Sequence, residues 1–182
     1  IRKAQAEADP SDYPWRQAYA ESLRRIAKVH GARSEFDLAS QGFLESIAIM
    51  EKLAAERPGD IKVRAELANG YLFYGALEFS QRRRLDEAES AFRSASKIYE
   101  GLILRDPADL ENRVDYAICL SRIADVTRAR GDNATTLELY HTAVKEFEEV
   151  AAAAPDNLDY RSSLAVAISR LSQAYEGIGD LT

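Results

Sequence analysis

Apolar residues recur along this chain at helical spacing. Val114, Ala117, Ile118, Leu120, Ile123, Ala124 and Val126 form a broad stripe of the i, i+3, i+4 kind. No stretch alternates apolar and polar positions in the manner of a half-buried strand. Turn-forming clusters interrupt the stripes, as in Gly131-Asp132-Asn133 and Gly177-Ile178-Gly179-Asp180. Between such breaks, apolar-periodic segments cover approximately Glu35–Arg57, Leu85–Arg105 and Ala134–Ala153. Each arm is near 20 residues, or roughly 30 Å of helix. The pattern predicts an all-α chain of about seven main helices arranged as antiparallel hairpins.

The hairpins repeat. Pro10, Pro58, Pro107 and Pro155 are spaced by 48, 49 and 48 residues, and further columns agree when the segments after each proline are laid side by side. Two residues on stand Asp12, Asp60, Asp109 and Asn157; six on stand Arg16, Arg64, Arg113 and Arg161. Alanine fills the tenth place as Ala20, Ala68, Ala117 and Ala165, and Ile26, Tyr74, Ile123 and Leu171 fill the sixteenth. Proline stops the preceding helix, and Asp or Asn two residues later caps the next one by accepting its unpaired N–H groups. Arginine one turn beyond that cap is expected to pair with it across a helix face. The second copy is one residue longer because Ser80-Gln81-Arg82-Arg83-Arg84 carries an insertion. Repeats are thus expected at 10–57, 58–106, 107–154 and, in part, 155–182, all within one domain. Residues 1–9 read as the end of an earlier second helix, and the chain as cut from a longer array.

Composition narrows the function classes. A net charge of −6 argues against a general nucleic-acid binder, which needs a basic face. No apolar run approaches the roughly 20 residues of a bilayer span, so no membrane role is expected and the expected location is cytoplasmic. Cys119 is the one cysteine, and its apolar neighbours Ile118 and Leu120 suggest a small buried hydrophobe. His30 and His141 lie far apart, and neither has a ligand-spaced partner. No glycine-rich phosphate loop is present. The expectation is a non-enzyme without cofactor or metal. The sharpest charge feature is the run Arg82-Arg83-Arg84, with Arg93 and Lys97 following: either a receptor for an acidic or phosphorylated partner, or a solvated turn.

Taken together, the hairpin pattern resembles the tetratricopeptide repeat family. The resemblance is carried by Leu23 and Ile26-Ala27 with Ala39, Phe43 and Ser46; by Tyr71 and Tyr74-Gly75 with Ala88, Phe92 and Ala95; and by Leu120, Ile123-Ala124 and Gly131-Asp132 with Thr136, Tyr140 and Ala143. Ile168, Leu171-Ser172, Tyr175 and Gly179-Asp180 continue it. Small residues at Ala27, Gly75, Ala124 and Ser172 fit a close approach of the two arms. The family unit has about 34 residues, so the resemblance is to a lengthened version of the kind found in bacterial multidomain proteins.

The resemblance implies a right-handed α-α superhelix that holds a peptide or partner helix along the first helix of each unit. Carried over, the groove positions are Arg24, Lys28, Asn69, Leu72, Ala76, Phe79, Ile118, Ser121, Asp125, Arg128, Ser169 and Gln173. The family's clamp for a terminal carboxylate is not matched, since Ala76, Ser121 and the acidic Asp125 stand where its polar and cationic groups are required. The implied function is a protein-interaction scaffold. The alternative is a regulatory or dimerising arm of a larger signalling protein such as a kinase or cyclase. Oligomeric state stays open, and end-to-end self-association of the array is conceivable.

Overall fold

The computed structural model describes residues 12–179, and among these it contains seven α-helices and no strand. They are α1 (Tyr13–Ala32), α2 (Phe36–Glu56), α3 (Ile61–Ser80), α4 (Leu85–Ile103), α5 (Leu110–Ala129), α6 (Asn133–Ala153) and α7 (Leu158–Ile178). The all-α hairpin architecture expected from the periodicity is what is observed, and the second arms start and stop within two residues of the expected limits. The expected earlier helix at 1–9 and Pro10 lie outside the described residues, as does Asp180. The described helices group into two compact units that meet between residues 98 and 99, inside α4. Repeat arrays are held by nearest-neighbour contacts, so a border need not coincide with a linker.

All four expected caps form. Asp12, Asp60 and Asp109 each accept the backbone N–H three residues on, and Asn157 accepts from Asp159 and Tyr160. The Asp60 cap is doubly held, because the Tyr13 hydroxyl donates to its other oxygen at 2.9 Å while the Arg57 guanidinium lies 3.7 Å from the Tyr13 ring centre. The Val63 N–H, and then the Tyr13 hydroxyl, hold the Asp60 carboxyl below the usual carboxylate range. Burial, followed by this same carboxylate, pushes Tyr13 up to about 12. A carboxyl depressed in the folded state stabilises fully above its unfolded value, and that contribution is lost as pH falls through the folded one. Asp60→Ala is therefore expected to cost about 1 kcal/mol near neutral pH. Urea titrations should show the gap to the parent closing in acid.

The arginine column does not pair with the caps. Arg16 instead reaches across the hairpin to Glu56 on α2 in a fork of 2.7 and 2.8 Å, and Arg113 reaches Glu146 and Glu149 on α6 at 2.7 and 2.5 Å. A guanidinium is long enough to bridge two antiparallel arms, and a fork on a carboxylate beats a single bond to a cap already engaged by the backbone.

Within residues 1–98, Tyr13, Ala20, Ile47, Met50, Leu53, Val63 and Leu67 make one apolar cluster, and Ala27, Ala39, Phe43 and Leu77 a second. Close approach of the arms is real. A Cβ built on Gly42 would lie 3.1 Å from that of Ala27, and one on Gly75 only 2.7 Å from the Phe92 ring. Within residues 99–182, Ala117, Val144, Phe147 and Ala167 cluster, as do Ala124, Tyr140 and Ala174. Ser172, the fourth small residue of the column, is exposed.

The turns between the arms share one device. Glu35 N–H bonds to the His30 carbonyl and Asp132 N–H to that of Thr127, each closing over a left-handed residue, Ser34 or Gly131. In the second copy Arg84 N–H bonds to Glu78 over left-handed Arg83, one residue wider, which absorbs the insertion. Glycine suits this backbone and serine does not. Ser34→Gly is accordingly expected to raise stability by about 0.5–1 kcal/mol, measured as a shift of the urea midpoint at constant slope.

Candidate functional site

In each unit, two successive first helices stand side by side over a second helix and leave a cleft. In residues 1–98 the cleft between α1 and α3 has a volume of about 320 Å³, with Gln17, Glu21, Arg24, Lys62 and Glu66 on its walls and Met50 of α2 beneath. Arg24 is seated there by Glu66 at 2.6 Å. In residues 99–182 the cleft between α5 and α7 has about 220 Å³, with Ser121, Arg122, Ser162 and Arg170 on its walls and Phe147 of α6 beneath. Met50 and Phe147 each stand 40 residues after a repeat proline. The two clefts therefore occupy equivalent places in the repeat.

A further opening of about 340 Å³ lies beside the first cleft, bounded by Lys28, Phe43, Phe73 and Ala76. Lys28 Nζ sits 3.4 Å from the centre of the Phe73 ring, which stacks on Phe43 at 6.4 Å. Partial burial, then the nearby Arg24 charge, lowers the Lys28 ammonium from its usual value. The cation–π contact keeps the charge over an apolar surface that remains open.

The expected groove residues divide on this geometry. Arg24, Lys28, Ala76, Ile118 and Ser121 line openings. Asn69, Leu72 and Phe79 are half-buried and line none of these openings. Ser169 and Gln173 are exposed on α7 and in contact with each other at 3.4 Å. Asp125 is not the open carboxylate that the groove assignment supposes. It is 5% exposed, accepts from the Tyr140 hydroxyl at 2.5 Å and from Arg170, and has Arg122 at 3.4 Å and Arg128 at 3.9 Å. Its charge is spent inside the fold because three guanidinium groups and a hydroxyl converge on it. Burial and this carboxylate both push the Tyr140 hydroxyl up, so it stays a donor.

Phe73, Arg122 and Arg170 were missed by a single column. The family register points to the fourteenth residue after each proline: Arg24, Leu72, Ser121 and Ser169. The fifteenth column reads Arg25, Phe73, Arg122 and Arg170. Three arginines in four copies is the signal that the transferred register passed over.

The three arginines of the basic run do not share one surface. Arg82 turns inward, placing Nε 3.2 Å from the fully buried Glu78 and NH1 2.9 Å from Asp37, while Arg83 and Arg84 remain exposed. Arg93 pairs with Glu89. His30 meets Glu35 at 2.5 Å, and His141 meets the Tyr175 hydroxyl at 2.6 Å. Cys119 is fully buried, and burial pushes its thiol up, away from the reactive thiolate. Among the described residues, no group of three or more His, Cys, Asp or Glu is arranged to hold a metal ion. No helix among them is long and apolar enough to cross a membrane.

No family model matches the sequence, and no curated protein matches it either. Among solved structures, a de novo designed helical repeat protein is similar at 12% identity, with 99% of this chain and 91% of that chain covered and a TM-score of 0.42.

Proposed function

We propose that this chain is a protein-binding scaffold of the tetratricopeptide type, which holds a peptide or partner helix against the first helices of its hairpins and performs no turnover. The observation that carries the reading is the recurrence of one cleft at equivalent repeat positions, with different walls. One is lined by the Arg24–Glu66 pair and the other by Arg122 and Arg170. A frame held constant by caps and small-residue contacts, with variable residues on the open face, is how a repeat array presents a binding surface. An apolar floor beneath polar walls suits a ligand that anchors an apolar side chain and pairs its charges at the rim.

A library of displayed 12-residue peptides, selected on the folded chain, tests this. Selected peptides are expected to lose affinity by about tenfold or more on Arg24→Glu or Arg122→Glu, with helical content unchanged by circular dichroism and no effect of Arg83→Glu at the turn. Failure to select any peptide, or selection of peptides indifferent to both cleft substitutions, would overturn the reading.

A further inference from the structure

The cleft between α5 and α7 is a more specific site than its twin. Three arginines meet one carboxylate beside it, Arg122 and Arg128 from α5 and Arg170 from α7, all on Asp125, and of these Arg122 and Arg170 line the cleft. Among the described residues, no other acidic partner of these three is found. Each guanidinium carries five N–H donors, and Asp125 engages few of them, so the cluster holds two positive charges more than it neutralises. Arg122 and Arg170 turn into the cleft.

Beside them stands an unmet polar group. Ser121 lines the cleft and is 6% exposed, and its hydroxyl has no hydrogen-bond partner in the fold. A buried hydroxyl without a partner is costly, and here it adjoins a surplus of positive charge. The rest of the lining is mixed, with Ile118, Val166 and the Phe147 floor apolar and Ser162 and Ser163 polar. Val166 is 52% exposed.

From this we infer that the α5–α7 cleft receives the phosphoryl group of a phosphorylated serine or threonine on a protein ligand. The inference rests on the scaffold reading above. A phosphomonoester carries about −1.5 to −2 charge at neutral pH and three strong acceptor oxygens, which can take the N–H donors of Arg122 and Arg170 that Asp125 leaves over, and the waiting hydroxyl, better than a carboxylate does. The apolar part of the lining selects a phosphate carried on a chain over a free anion, because only the former has a side chain to cover Ile118 and Val166. A nucleic acid is a poor fit: Phe147 is 3% exposed, so the cleft offers no open ring for a base, and the protein is acidic overall. Asp125 acts as the positioning residue, fixing Arg170 before the ligand arrives.

The test uses the 182-residue chain at neutral pH and the peptide Ala-Leu-phosphoserine-Leu-Ala, read by calorimetry and by amide shifts. Its unphosphorylated twin and inorganic phosphate are the comparison probes. The phosphopeptide is expected to bind about tenfold or more tighter than either, shifting amides near Ser121, Arg122 and Arg170. Arg122→Gln, at a part-exposed position and with helical content checked by circular dichroism, should weaken it by about tenfold, Ser121→Ala by about threefold, and Arg83→Gln not at all. Equal binding of the unphosphorylated peptide, equal binding of inorganic phosphate, or indifference to Arg122→Gln would each overturn the inference. If phosphate dependence fails while library-selected peptides still respond to Arg24→Glu, the phosphoryl site falls and the scaffold stands. If those peptides fail as well, both fall.

Discussion

Gly75→Val is expected to cost about 3 kcal/mol of folding free energy, at the upper end of what overpacking a well-packed core costs. A Cβ at this place on α3 would lie 2.7, 2.8 and 3.1 Å from three atoms of the Phe92 ring on α4. Phe92 is completely buried, so the ring has nowhere to turn. The helix itself argues the other way, because replacing a helical glycine by alanine gains about 1 kcal/mol of propensity. Gly75→Ala therefore sets two comparable effects against each other, and the contact distance decides for a net loss. Gly177 is the control. It lies in the last turn of α7, which ends at Ile178 with left-handed Gly179 as its cap, where the glycine-rich run was expected to end it, and a Cβ there meets nothing within 4 Å. Gly177→Ala should stabilise where Gly75→Ala does not. Chemical denaturation of these variants, with Phe92→Leu added to Gly75→Ala, measures the clash directly. Recovery of stability in the double variant is expected, and its absence would show that the arms are not held apart by this contact.

The close contact at Gly75 belongs to a frame that was readable in the sequence. Caps, turn residues and small contact residues answer to local rules that recur once per repeat, so four imperfect copies reinforce one another. Asp12, Asp60, Asp109 and Asn157 could be assigned as caps because a helix start needs an acceptor and the spacing fixes its place. The longer second copy could be traced to 80–84 because every other column stayed in step, and a wider turn over Arg83 absorbs it. Long-range partners obey no such rule. Nothing local says that Arg16 leaves its own cap for Glu56, or that Asp125 gathers arginines from two helices and a tyrosine from a third. On the open face Arg24 and Ser121 of the assigned column line clefts, and so do residues of the next column, because a register borrowed from a shorter unit does not fix how many residues of a longer helix face outward. Phe73, Arg122 and Arg170 each sit one residue beyond the position assigned.

Arg82 is the clearest case of a residue whose meaning depends on an unseen partner, and Arg82→Met is expected to cost about 3–5 kcal/mol. In sequence it stands in a run of three arginines that reads as a solvated, basic turn. In the fold its guanidinium spans Glu78, Asp37 and the Phe36 carbonyl, tying the turn after α3 to the start of α2. Glu78 is fully buried, and one carboxylate oxygen is taken by the Ser40 hydroxyl at 2.7 Å. The other faces Arg82 at 3.2 Å without a well-aligned hydrogen bond, and Arg84 at 4.0 Å. Removing Arg82 leaves a carboxylate in the interior with only a distant second arginine, and uncompensated buried charge dominates the cost. Removing both charges should be far milder. The pair Glu78→Gln with Arg82→Met keeps the Ser40 contact and leaves no ion to compensate. Stability of the two single variants and the double variant, taken together, isolates the term: the double is expected to recover most of the loss seen in Arg82→Met. Additive losses would mean instead that the guanidinium acts through its hydrogen bond to Phe36 and its packed methylenes, with the buried pair contributing nothing of its own.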